Sequence, residues 1–270
     1  MRPAIFCVAM LALQKLISKI TLKVEYRIMS FFDALRKFFK PTPEEKADKL
    51  KEKITNMYGQ TADRRYYLEQ LYKMGPDLAP KRLIQRFTRT CDNSTNDQEE
   101  KDYTKDLLVL LGSASIDPLK EFLRKNDKDF NWPYRTLSEL IPNEERIEFL
   151  VELLNTIGPD YVRNPERKEQ LILVVKSFNE DSIGRAVLPY LADDNETIRF
   201  VAAETVIVQA HDYGIEALAD RFDVETSGRV LTLIAEAFRD KEWTIPEAKR
   251  EAVSSHLPSG MRLNSSGVIV

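Results

Sequence analysis

The sequence predicts an all-α protein, an α-solenoid (α-α superhelix) of about six stacked helical hairpins. Three observations predict it. Runs of alternating β-branched residues between turn dipeptides are missing, so no sheet is signalled. Helix start and stop signals recur from residue 41 onward. Comparable leucines in the first helices of successive hairpins, Leu83, Leu119, Leu150, Leu188 and Leu218, lie 36, 31, 38 and 30 residues apart, a mean of about 34. A period in that range marks an array in which each helix pair buries its apolar face only against its neighbours.

Thr42-Pro43-Glu44-Glu45 joins an N-cap hydroxyl, a proline at the first helical position and a glutamate three residues on, the elements of a capping box. The helix it starts ends near Gly59. Thr61 opens another, rich in tyrosine (Tyr66, Tyr67, Tyr72), which Gly75-Pro76 stops. Further helices are predicted near 77–90, 98–111, 116–125, 132–141, 144–156, 165–178, 183–192, 196–210, 214–222 and 227–239. A polar loop over Cys91–Glu100 interrupts the second hairpin. Ile245-Pro246 starts one more amphipathic segment to about His256, and residues 257–270 read as a flexible tail.

Residues 1–40 stand apart from the repeat region, 41–256. They carry eight Lys/Arg against Glu25 and Asp33, a net +6; the whole chain is −3, so residues 41–270 carry −9. The apolar run Ala4–Leu13 is too short to span a bilayer. Lys15, Lys19 and Lys23 recur every fourth residue among apolar neighbours, a pattern that suits a membrane surface. Met29 also reads as a natural start, which leaves residues 1–28 as an over-extended start, a targeting or anchoring segment, or a helix packed on the array. Phe31, Leu35, Phe38 and Phe39 share one helical face, able to cap the first repeat or to meet a membrane.

Hydrophobic residues at 43% and charged residues at 31% describe an ordered, water-exposed protein rather than a disordered one. Cys7 and Cys91 stand far apart, so a disulfide framework is not expected and a reducing, cytoplasmic setting is the default. The acidic body repels phosphate backbones, which argues against nucleic acid as the main partner.

The residues from Val187 to Glu204 identify the repeat type. Val187-Leu188-Pro189-Tyr190-Leu191-Ala192 is an apolar helix with a proline; Asp193-Asp194-Asn195 forms the turn; Ile198-Arg199 opens a second helix with paired Ala202 and Ala203. This segment resembles the HEAT repeat, a member of the HEAT-like and armadillo-type α-solenoids. In that family an aspartate in the turn and an arginine six residues later link neighbouring repeats. The same offset recurs as Asp129/Arg135, Asp193/Arg199 and Asp223/Arg229, which the resemblance makes a structural ladder. The likeness is closest over 183–239, looser over 112–178 and faint over 41–111.

No catalytic set emerges, and no cofactor or metal is expected. His211 and His256 are the only histidines, and neither cysteine has a companion at zinc-ligand spacing. No Gly-rich phosphate loop or nucleophile elbow is present. Asp193-Asp194 and Asp127/Asp129 read as helix caps. Deoxyhypusine hydroxylases, which share the HEAT-like fold, bind iron through His-Glu dipeptides; here His211 precedes Asp212 and His256 precedes Leu257. HEAT-like DNA glycosylases use aromatic and acidic residues in a basic groove, for which Trp132, Tyr134 and Trp243 are available. Bilin-lyase-type HEAT proteins are a third comparison, with no residue signature to match. The expectation is a non-enzymatic scaffold that binds a protein partner on a concave face of second helices, with the glycosylase type and a membrane-surface adaptor as alternatives.

Overall fold

A computed structural model describes residues 41–126 and 129–270; the readings placed on residues 1–40 and on Asp127 lie outside the described residues. The chain divides into two compact units, Met1–Lys49 and Leu50–Val270. Of the first, residues 41–49 are described, and they open α1 (Pro43–Ile54). The capping box is formed there: Glu45 N donates to Thr42 Oγ1 at 3.1 Å, and Thr42 N donates to Glu45 Oε2 at 3.0 Å.

Helices are the regular secondary structure of the described residues, apart from two isolated bridges near the end. The second unit contains α2 (Thr61–Tyr72), α3 (Pro80–Leu83), α4 (Ser94–Leu110), α5 (Ile116–Lys125), α6 (Asn131–Leu140) and α7 (Asn143–Ile157). After these come α8 (Glu166–Val175), α9 (Asp181–Val187), α10 (Glu196–Gln209), α11 (Asp212–Val224), α12 (Gly228–Asp240) and α13 (Arg250–His256). Two helices continue as 3-10 turns, α3 over Ile84–Thr88 and α9 over Leu188–Ala192. Pro189 explains the second: it has no N–H to donate, so the α-helical ladder cannot run on.

Many contacts in this unit skip one helix, while α5 with α6 and α10 with α11 pack as sequence neighbours. α2 touches α4 and α4 touches α6; α8 touches α10 and α10 touches α12. Among the odd-numbered helices α3 meets α5, α7 meets α9, and α11 meets both α13 and the 3-10 turn that follows α9. Small residues let these helices approach: Ala202 and Ala203 are fully buried, and a Cβ on Gly214 would lie 2.7 Å from Val206 Cγ1. Leu83, Leu119, Leu150 and Leu218 are fully buried. Leu188 departs from this series; it is half-buried, and Val187 and Leu191 take the inner positions beside Pro189.

Two segments differ from their sequence reading. The supposed polar loop over Cys91–Glu100 is mostly helix, because Asn93 Oδ1 accepts from Asn96 N at 3.0 Å and starts α4 at Ser94. Residues 257–270, read as a flexible tail, instead close on the body. Asn264 Oδ1 accepts from Ser266 N and Val268 N, Gly267 adopts φ 86°, and bridges join Thr244 to Val268 and Leu263 to Ile269. Ile269 is 1% exposed, and the Arg250 guanidinium donates to the carbonyls of Ile245, Ser265 and Ser266. Alternating apolar residues thus give the end a buried side, and the Asx turn sets its direction.

Candidate functional site

The turn before α10 carries the most connected of the ladder residues. Asn195 caps α10, accepting from Thr197 N at 2.9 Å and from Ile198 N. Asp193 is therefore not the cap. It lies two residues earlier and 3% exposed; one carboxylate oxygen accepts from Asn195 N, and the other meets Lys168 Nζ of α8 at 2.7 Å. Arg199 reaches the Asp193 backbone carbonyl, not its carboxylate, through Nη1 at 2.9 Å. Its Nε and Nη2 each meet a separate oxygen of Glu225 at 2.9 Å. Glu225 also accepts from Arg221 and from the backbone N–H groups of Thr226 and Ser227. Burial drives the Glu225 carboxyl upward, but these donors, Arg199 foremost, outweigh it and hold the pKa at about 2. Lys168, Asp193, Arg199 and Glu225 thus make a chain of bonds through α8, α10 and the turn before α12.

The other two pairs are not formed as expected. Asp223 is exposed, and Arg229 lies 3.8 Å from the Phe200 ring centroid with Glu196 3.6 Å away. Arg135 is exposed and covers the Trp132 ring at 4.6 Å, while Asp129 sits at φ 55°. The cap register explains the first miss. Ser227 caps α12 by accepting from Val230 N, so the residue two before the cap is Glu225, matching Asp193 before Asn195. A fixed offset of six selected Asp223 instead; counting from the cap selects the residue that bonds.

A second constellation escaped the sequence reading. Arg64, Arg86, Asp97, Glu100 and Lys101 are all at least nine-tenths buried. Arg64 Nη2 meets Glu100 at 2.7 Å, Arg86 spans Asp97 at 2.7 Å and Glu100 at 3.0 Å, and Lys101 meets Asp97 at 2.8 Å. Cys91 N donates to Asp97, and Cys91 Sγ accepts from Arg86 Nη2 at 3.3 Å. Three cations face two carboxylates. Burial nevertheless pushes the Cys91 thiol up, with Arg86 opposing. The signal was available: Asp97, Glu100, Thr104, Leu107 and Leu108 form one helical stripe, so the first carboxylates share the buried face of the leucines. Asp97 also stands four residues after its cap, as Arg199 does, and each bonds the backbone two residues before that cap.

The even-numbered helices share side-chain contacts. Arg65 covers the Tyr103 ring at 4.4 Å, Lys105 meets Glu139 at 2.8 Å, and Lys176 meets Glu204 at 3.3 Å. Tyr66, Leu110, Leu173 and Val208 are exposed on these helices. A groove of about 420 Å³ opens between α10 and α12, lined by Phe200, Arg229, Thr232, Leu233 and Glu236.

Residues weighed for chemistry take packing positions. His211 lies one residue beyond α10's C-cap and is itself the N-cap of α11, stacked on Tyr213 at 5.1 Å. His256 Nδ1 lies 2.9 Å from its own helix carbonyl at Ala252. Trp132 stacks on Phe87, Tyr134 is buried against Phe130, and Trp243 packs edge-on to Phe238. Among the described residues no group of three or more His, Cys, Asp or Glu is placed to hold a metal ion, and no helix is long and apolar enough to cross a membrane.

No protein-family model, curated protein or solved structure matches the chain.

Proposed function

We propose that this chain is a HEAT-type α-solenoid acting as a cytoplasmic, non-enzymatic scaffold. On this reading a protein partner binds along the face of the second helices, α2, α4, α6, α8, α10 and α12. The observation that carries the reading is the alternation of contacts, in which helices two apart in sequence pack together over most of the unit. Hairpins that stack need that pattern, since each repeat is supported by its neighbours. The run from Lys168 through Asp193 and Arg199 to Glu225 supports it further, as bonds that tie successive second helices together. Exposed Tyr66, Leu173 and Val208, with the groove beside Leu233, suit the apolar anchors of a protein interface. The packing positions of Trp132, Tyr134 and Trp243 favour this reading over the glycosylase type, whose groove would need free aromatic faces.

The test places photo-crosslinking residues at Tyr66, Leu173 and Leu233 on the second helices, and at Glu148 and Glu216 on first helices, in the producing cells. One protein captured by the first set and not by the second is expected. A first set that captures no protein, or a purified chain that carries nucleic acid or a small molecule instead, overturns the reading.

A further inference from the structure

We propose that a groove between α3 and α5 docks an acidic peptide segment of a partner protein, one that presents an apolar side chain between carboxylates. This surface lies on the odd-numbered helices, so it is separate from the face proposed above and does not depend on it. The groove encloses about 390 Å³, with Ile84, Pro118 and Phe122 as its apolar lining and Lys81, Glu121 and Lys125 among its polar residues.

Charge identifies the occupant. Residues 41–270 carry −9, yet α3 and α5 hold five cations, Lys81, Arg82, Lys120, Arg124 and Lys125, against Asp117 and Glu121. Three of the five are engaged elsewhere: Arg82 donates to the Leu78 carbonyl, while Lys120 meets Glu145 and Arg124 meets Glu152 on α7, with both of the latter cations over the Phe149 ring. Lys81 and Lys125 remain at the groove and share one carboxylate, Glu121, at 3.4 and 2.7 Å. Their side chains are 70% and 74% exposed, so both can swing to a ligand at little cost. One carboxylate between two ammonium groups leaves a local excess of one positive charge, which an incoming carboxylate satisfies. The apolar lining then asks for an aliphatic or aromatic side chain beside that carboxylate. A long polyanion such as nucleic acid would also meet the −9 body, which repels it. The groove is open rather than enclosed, which suits an extended peptide better than a small acid.

The test is fluorescence anisotropy on the full chain with four labelled probes: a peptide alternating Glu and Leu, its Lys/Leu and Glu/Ser counterparts, and a single-stranded oligonucleotide. The Glu/Leu peptide is expected to bind in a salt-sensitive way. Lys81→Glu with Lys125→Glu should weaken it by about tenfold or more, and Glu121→Gln, which frees both lysines, should tighten it about two- to fivefold. Lys81 and Lys125 are exposed and Glu121 is half-buried, and circular dichroism checks that the variants fold. The proposal is overturned if the Glu/Leu peptide does not bind, or if the Lys/Leu or Glu/Ser peptide binds as well as it does. It is equally overturned if the oligonucleotide competes as strongly, which would make the surface a general polyanion patch, or if the double substitution changes nothing.

Discussion

Arg199 of α10 and Glu225, in the turn before α12, form a two-armed ion pair in which each of two guanidinium nitrogens takes its own carboxylate oxygen at 2.9 Å. The Glu225 side chain is fully buried and that of Arg199 keeps 13% exposure. A pair so placed is costly to break, because the buried Glu225 carboxylate would keep its charge with only Arg221 and two backbone N–H groups to hold it.

Arg199→Ala is therefore expected to lower stability by about 2–4 kcal/mol. Arg229→Ala, at a side chain 57% exposed, should cost about 1 kcal/mol or less. Urea unfolding of both variants measures the contrast, and the Arg199 transition should also broaden as coupling between repeats is lost. Equal midpoints for the two would remove the central role given to Arg199.

Glu225 also sets a pH dependence. Its folded pKa, about 2, lies below the ordinary 4.5, so the unfolded chain binds the proton first as pH falls. The contribution is fully present above about pH 4.5 and is lost as pH drops toward 2, amounting to about 3 kcal/mol. Measured from pH 7 to pH 3, the stability gap between the natural chain and Glu225→Gln should shrink on acidification. A gap that is constant with pH would assign the loss to another group.

Cys91 should behave as a shielded thiol. It is 8% exposed and its pKa is raised. In a Cys7→Ser background a thiol reagent at neutral pH should label it slowly in the folded chain and at once in denaturant. Rapid labelling of the folded chain would show that the contacts of Arg86 and Asp97 do not hold this turn closed.

The same cluster predicts a large effect for Glu100→Gln, since Glu100 neutralises both Arg64 and Arg86. Loss of about 3–5 kcal/mol is expected, the scale of an uncompensated buried charge. Thermal unfolding checks it, and a change within about 1 kcal/mol would mean that water or a shifted side chain takes over.

Removing residues 257–270 should destabilise the chain rather than leave it unchanged. The deletion uncovers Ile245, takes away Ile269 and removes two of the three carbonyl bonds of Arg250, those to Ser265 and Ser266. A loss of about 2–4 kcal/mol is expected from the apolar burial alone. Full stability after truncation would restore the flexible-tail reading.

The sequence by itself determined the helices, because what makes them is local. The cap at Thr42, the apolar spacing around Leu119 and Leu150, and the stop at Gly75-Pro76 all act within a few residues. It also marked Asp193 and Arg199 as neighbours worth watching. Their bonding partners were decided only by tertiary structure. Lys168, Glu225 and the Arg86 cluster meet across 14 to 36 residues of chain, where the angle at which helices pack decides which charge faces which. A carboxylate at a helix end reads the same in sequence whether it is exposed, as Asp223 is, or buried against a guanidinium, as Glu225 is. Two residues of local cap register separate those positions, and the packing of α10 against α12 decides which of them meets Arg199.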